Sequence, residues 1–165
     1  MILQFGVITM ILYRITKGMR FFVSMFSVTL LFAFVVQPVL AFVPLSPLMV
    51  THTVSSEADS GSGTLRDAMT KAAPGDIITF STVAFPPDNP QTIYLTTSLP
   101  TIDAAGVQID ASNAGVIVNG ENQAGQYDNC FMIHADYVTI RGLQIVNCQN
   151  HGIEVNNGAS FITIG

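Results

Sequence analysis

From Val107 onward the chain repeats a short theme, an apolar–any–apolar triplet closed by Asn, Asp or Gly. The triplets are Val107-Gln108-Ile109, Val116-Ile117-Val118, Phe131-Met132-Ile133, Val138-Thr139-Ile140, Leu143-Gln144-Ile145 and Ile153-Glu154-Val155, followed by the run Phe161-Ile162-Thr163-Ile164. Alternation with period two marks strands with one buried face. Strands this short cannot bury a face alone, so they must stack into a shared core, as the turns of a solenoid do. Phe131 and Ile153 lie 22 residues apart and Ile140 and Ile164 lie 24 apart, each a fitting length for one coil. The pattern predicts about three coils of an all-β solenoid, with Ile140 and Ile164 in one inward layer.

Upstream, Thr51–Val54, Ile77–Phe80 and Thr92–Thr96 also alternate and read as strands. Between the first two sits the single good helical pattern, predicted over about 65–73. Leu65, Ala68, Met69 and Ala72 form one apolar face, Thr64 is the N-cap with Asp67 three residues on, and Pro74-Gly75 stops the helix. A short amphipathic helix before a strand stack suits a cap over the first coil, whose core and backbone groups would otherwise be uncovered. Asn119 to Asn129 is a polar and Gly-containing stretch that reads as a surface loop. Asn119, Asn147 and the Asn156-Asn157 pair follow strands, where they fit either an amide ladder along the axis or ordinary turns.

The first 41 residues form a separate pattern. Arg14, Lys17 and Arg20 precede the apolar run Phe21–Val36, and Val39-Leu40-Ala41 offers a cleavage site after Ala41. The segment 1–41 therefore reads as a signal-peptide helix, with an uncleaved N-terminal anchor as the alternative and Met19 as a more ordinary start. Residues 42–50 form a linker, and 51–165 the cap and first coils. A secreted or cell-surface location follows, with no membrane span in the mature chain.

Past Ala41 three basic residues (Arg66, Lys71, Arg141) face eleven acidic ones, a balance of −8. Without basic groups to displace counterions from phosphates, nucleic acid is excluded as a partner. Cys130 and Cys148 each border a strand. In an oxidising compartment they fit a disulfide between neighbouring coils, and equally two buried thiols.

The segment Asp59–Met69 (DSGSGTLRDAM), with Lys71–Phe80 (KAAPGDIITF), resembles the N-terminal cap of secreted bacterial right-handed parallel β-helix proteins, the pectin-lyase-like superfamily. Val138–Asn147 (VTIRGLQIVN) and His151–Val155 (HGIEV) are similar to their coils. The resemblance covers Thr51 to Gly165 and implies a right-handed parallel β-helix. Members include polysaccharide lyases, glycoside hydrolases, epimerases and non-catalytic adhesion proteins, and none of their catalytic groups is matched here. With no C-terminal cap in view, the sequence reads as the N-terminal part of a longer protein.

Alternation turns Asp110, Arg141, Gln144 and Glu154 outward, together with Met132 and His134. Asp110, His134, Arg141, Gln144 and Glu154 are thus the weak binding candidates, the remaining groups reading as solvated surface. A lyase needs a cation or Ca²⁺ for the uronate and a base for the α-proton, and a glycosidase needs two carboxyls roughly 5–9.5 Å apart. No spacing here forces either arrangement, and no catalytic residue or cofactor is identified. Arg66 reads as a helix-surface residue. Absent Trp and sparse Tyr give little for stacking sugars. The expected function is a carbohydrate-binding or adhesive scaffold acting on extracellular polysaccharide or a cell-surface component. The alternative is the N-terminal part of a polysaccharide lyase or glycoside hydrolase whose active site lies beyond residue 165.

Overall fold

The structure is a computed structural model, and it describes residues 48–156 and 158–165. The expected signal segment, its cleavage after Ala41, the alternative start at Met19 and most of the linker lie outside the described residues. Among the described residues no helix is long and apolar enough to cross a membrane.

Among the described residues ten short strands and one helix follow one another: β1 Thr51–Val54, α1 Leu65–Lys71, β2 Ile77–Phe80, β3 Gln91–Tyr94, β4 Gln108–Asp110, β5 Val116–Asn119, β6 Phe131–Ile133, β7 Thr139–Arg141, β8 Leu143–Val146, β9 Ile153–Val155 and β10 Thr163–Ile164. Every pairing is parallel and joins one coil to the next. The strands form three sheets, ordered β1-β2-β4-β7-β10, β3-β5-β8 and β6-β9. This is a parallel β-solenoid of about four turns. The triplet count of three falls short because β1 and β2, outside the triplet region, are full members of the five-stranded sheet.

Register sets the core. Ile78, Ile109, Ile140 and Ile164 stack directly above one another in the five-stranded sheet, as the alternation requires. Ile78, Ile109 and Ile140 are at most 1% exposed. His52 occupies the first position of that column, beside Ile78. In the second sheet Ile93, Val118 and Ile145 form the matching inner column. Val155 departs from expectation. It registers with buried Ile133, yet is 43% exposed, because β9 is an edge strand among the described residues and only one flank is covered.

Helix α1 buries Leu65, Ala68 and Met69 in the same core cluster. Thr64 Oγ1 accepts from the Asp67 amide at 3.2 Å, and Asp67 in turn accepts from Gly63 N–H. The helix ends at Lys71, two residues short of the predicted 65–73. Pro74 disfavours helical geometry in the residue before it, and Ala72 is already extended. Arg66 is a correction to the sequence reading. Its guanidinium donates to Asp59 Oδ1 and to the Thr97 and Ser98 carbonyls, so it ties two loops together rather than lying on the helix surface.

Left-handed backbone turns the chain at Asn147 (φ 52°) after β8 and at two further corners. Gly142 (φ +73°) turns the chain between β7 and β8, where a Cβ would lie 2.5 Å from the Ser112 nitrogen, so no other residue fits. The other corner precedes the five-stranded sheet. There Gly75, Gly106, Tyr137 and Phe161 hold positive φ of 84°, 76°, 60° and 60° in successive coils. Each amide donates to the residue just before the next member: Gly75 to Ala105, Gly106 to Asp136 and Tyr137 to Ser160.

Candidate functional site

The five sequence-derived candidates do not converge. Asp110 and Arg141 are registered neighbours on β4 and β7 of the five-stranded sheet. Gln144 points outward from β8 in the second sheet, and Glu154 from β9 in the third. His134 follows β6 at the corner between third and first sheets. The solenoid fixes their sheets by triplet position, and the triplets that carry them belong to different sides.

Most of these groups are engaged with neighbours. Arg141 donates to Asp110 across 2.6 Å. That hydrogen bond lowers the Asp110 pKa to about 2 and raises that of Arg141. A carboxylate so held is a poor base near neutrality. Glu154 accepts from the Asn129 side-chain amide. His134 Nδ1 lies 3.4 Å from Asp103 Oδ1. Among the described residues, no group of three or more His, Cys, Asp or Glu side chains could hold a metal ion.

The polar stretch read as a surface loop is instead partly buried. Gln123 and Asn129 are 6% and 3% exposed. Asn129 Oδ1 accepts from the Asn150 side chain, the His151 amide and the His151 ring, and its backbone carbonyl accepts from Gln123. Gln123 Oε1 accepts the Gln149 amide one coil further on. Beside them Asn147 donates to Asn119 Oδ1, which also accepts the Glu121 amide. Asn119 is thus ladder and turn residue at once. A disulfide joins Cys130 to Cys148 across the same two coils, with Cα atoms 5.6 Å apart. Among the described residues no buried side-chain nitrogen or oxygen lacks a partner. Unpaired burial would cost roughly 1–3 kcal/mol per group, so this amide corner is a built structural unit.

The corner that holds His134 differs. Asp103 and His134 occupy equivalent places in successive coils, following the bridged pair Ile102 and Ile133. Asp136 Oδ1 accepts the Ser160 amide at 2.7 Å. Next to it, the Tyr137 and Phe161 rings stack at 4.7 Å between centroids and 2° between planes. Both are exposed, at 59% and 70%. One coil above, an open groove of about 430 Å³ separates α1 from the 100–104 turn; Met69, Thr70, Pro100, Ile102, Asp103 and Val107 line it. Sequence reasoning missed the stacked pair, although Tyr137 and Phe161 lie 24 residues apart, the interval that aligns Ile140 with Ile164.

Comparison with protein-family models, with curated proteins and with solved structures finds no match. The class is therefore set by the coordinates alone, as a parallel β-solenoid.

Proposed function

We propose that this chain is an exported, non-catalytic β-helix scaffold of the pectin-lyase-like kind, whose lateral surface binds extracellular polysaccharide or a cell-surface component. The observation that carries the reading is how the outward-facing chemistry is used. Asp110 is bound to Arg141, Glu154 to Asn129, and the corner asparagines to each other. Groups committed in this way make a rigid, polar, repetitive surface rather than a poised acid and base. Export is supported by the N-terminal charge and hydropathy pattern, and by a disulfide that suits an oxidising compartment. Rigid solenoid flanks suit long ligands because successive coils repeat a contact along one axis.

The test is incubation of the full chain with neutral and acidic polysaccharides, following binding and product release together. Retention on one of them without shortened or unsaturated products supports the scaffold. Turnover by this chain would favour the lyase or hydrolase alternative instead.

A further inference from the structure

The left-handed column Gly75, Gly106, Tyr137, Phe161 has a feature the fold does not require. Glycine fills this position in two coils at no steric cost. In the next two the chain places bulky aromatics there, a strained conformation for a residue with a side chain. Stacking of the two rings offsets part of that strain. Tyr137 is 59% exposed, so its burial adds little. Strain kept without a matching structural return points to use by a ligand.

Geometry says which face is open. One face of the Tyr137 ring is covered by Phe161. On the side of Tyr137 away from Phe161 the backbone register places Gly106 of the preceding coil, which has no side chain. Above Gly106 is Gly75, whose backbone would be met by a Gly106 Cβ at 3.5 Å. A step one side chain deep therefore lies against a flat aromatic face. Asp136 precedes Tyr137 in the chain, with Oδ1 accepting the Ser160 amide, and Asp103 meets His134 at 3.4 Å on the turns that lead into this column.

We propose that this step is a stacking shelf for one neutral hexopyranose ring, a proposal that rests on the carbohydrate-scaffold reading and locates its binding site. The apolar C–H face of the sugar lies on Tyr137, and its rim hydroxyls donate to the carboxylates of Asp103 and Asp136. Carboxylates accept such bonds well. Their charge, within a chain carrying eleven acidic residues against three basic ones after Ala41, works against uronates. Phe161 braces the ring from behind.

The test is calorimetric titration of the full chain with cellohexaose, mannohexaose and hexagalacturonate, repeated on two variants. Tyr137→Ala removes the face. Gly106→Asn fills the step with a side chain that tolerates left-handed backbone, so it blocks the shelf while leaving Tyr137 in place. Circular dichroism and thermal unfolding check that both variants fold. Expected is saturable binding of at least one neutral hexaose, weakened at least tenfold by either variant. If a neutral hexaose binds but neither variant weakens it, the shelf is wrong and the scaffold reading stands. Binding of hexagalacturonate alone overturns the neutral-sugar assignment. If none of the three binds, the shelf and the carbohydrate reading fall together.

Discussion

Two corners of this solenoid invert the usual sorting of side chains, in opposite directions. At one, amides are taken out of water: Gln123 and Asn129 are nearly covered and bonded to the next coil, with Cys130–Cys148 fastening the same step. At the other, rings are put into water: Tyr137 and Phe161 stack with most of their surface exposed, on strained backbone. Buried amides are tolerable because every buried polar atom there has a partner. Exposed rings have no such closure within the described residues. The first corner is complete in itself and holds coils together, whereas the second offers surface. Stability and binding should therefore respond to opposite sets of substitutions.

Both corners rest on the shared core to which the isoleucine column belongs, so its loss has the greatest effect. Ile140→Asp buries an unpaired carboxylate at a site 1% exposed and should abolish soluble folded protein. Thr139→Asp, one residue away and facing out, should be tolerated. Soluble yield and circular dichroism decide, and equal loss from both would refute the inner column. At the amide corner, Cys130→Ala with Cys148→Ala frees a cross-link spanning 18 residues. It should lower stability by about 3 kcal/mol, read from urea unfolding. Asn129→Ala leaves the Asn150, His151 and Glu154 groups without their partner. A loss of about 2 kcal/mol is expected from such orphaned groups, with glycan binding unchanged. Weakened binding at constant stability would mean that the amide corner is itself a ligand surface.

A smaller, pH-dependent effect belongs to the first coil. Asp76, 2% exposed, accepts from the Ala73 and Val50 amides and meets His52 Nε2 at 3.0 Å. The two amides foremost, then the histidine, hold its pKa down at about 2, below the ordinary 3.8. A depressed carboxylate pKa stabilises the fold above the unfolded value, and that contribution fades as pH falls from about 4 through about 2. Asp76→Asn should flatten the acid limb of a thermal-melt series between those values. An unchanged limb would assign acid sensitivity elsewhere.

The buried faces of the strands were legible in the sequence, and the corners were not, for a physical reason. Alternation reports which face of a strand is buried, and the coil interval aligned Ile140 with Ile164. It says nothing about a turn, where burial depends on what the neighbouring coil supplies. The stretch 119–129 is mostly polar and Gly-containing, and only the adjacent 147–151 segment shows that Gln123 and Asn129 are covered. Arg66 looked like helix surface because its partners at 59, 97 and 98 come from loops that carry no periodic signal. Among the candidate residues, alternation put Asp110, Arg141, Gln144 and Glu154 on the outside. Their distribution over three sheets follows from coil geometry that single triplets do not encode. Tyr137 and Phe161 share the coil interval, but positive φ is a backbone property invisible in two aromatic letters.

The contrast between the corners stands or falls on whether the aromatic pair is kept for the fold or in spite of it. Urea unfolding of the double variant Tyr137→Asn, Phe161→Asn measures that. Asparagine adopts left-handed backbone readily, so relief of strain should roughly cancel the lost stacking. The unfolding free energy should stay within about 1 kcal/mol of the parent. A loss of about 3 kcal/mol would show that the rings hold the coils together like the amides opposite, and the two corners would then be of one kind.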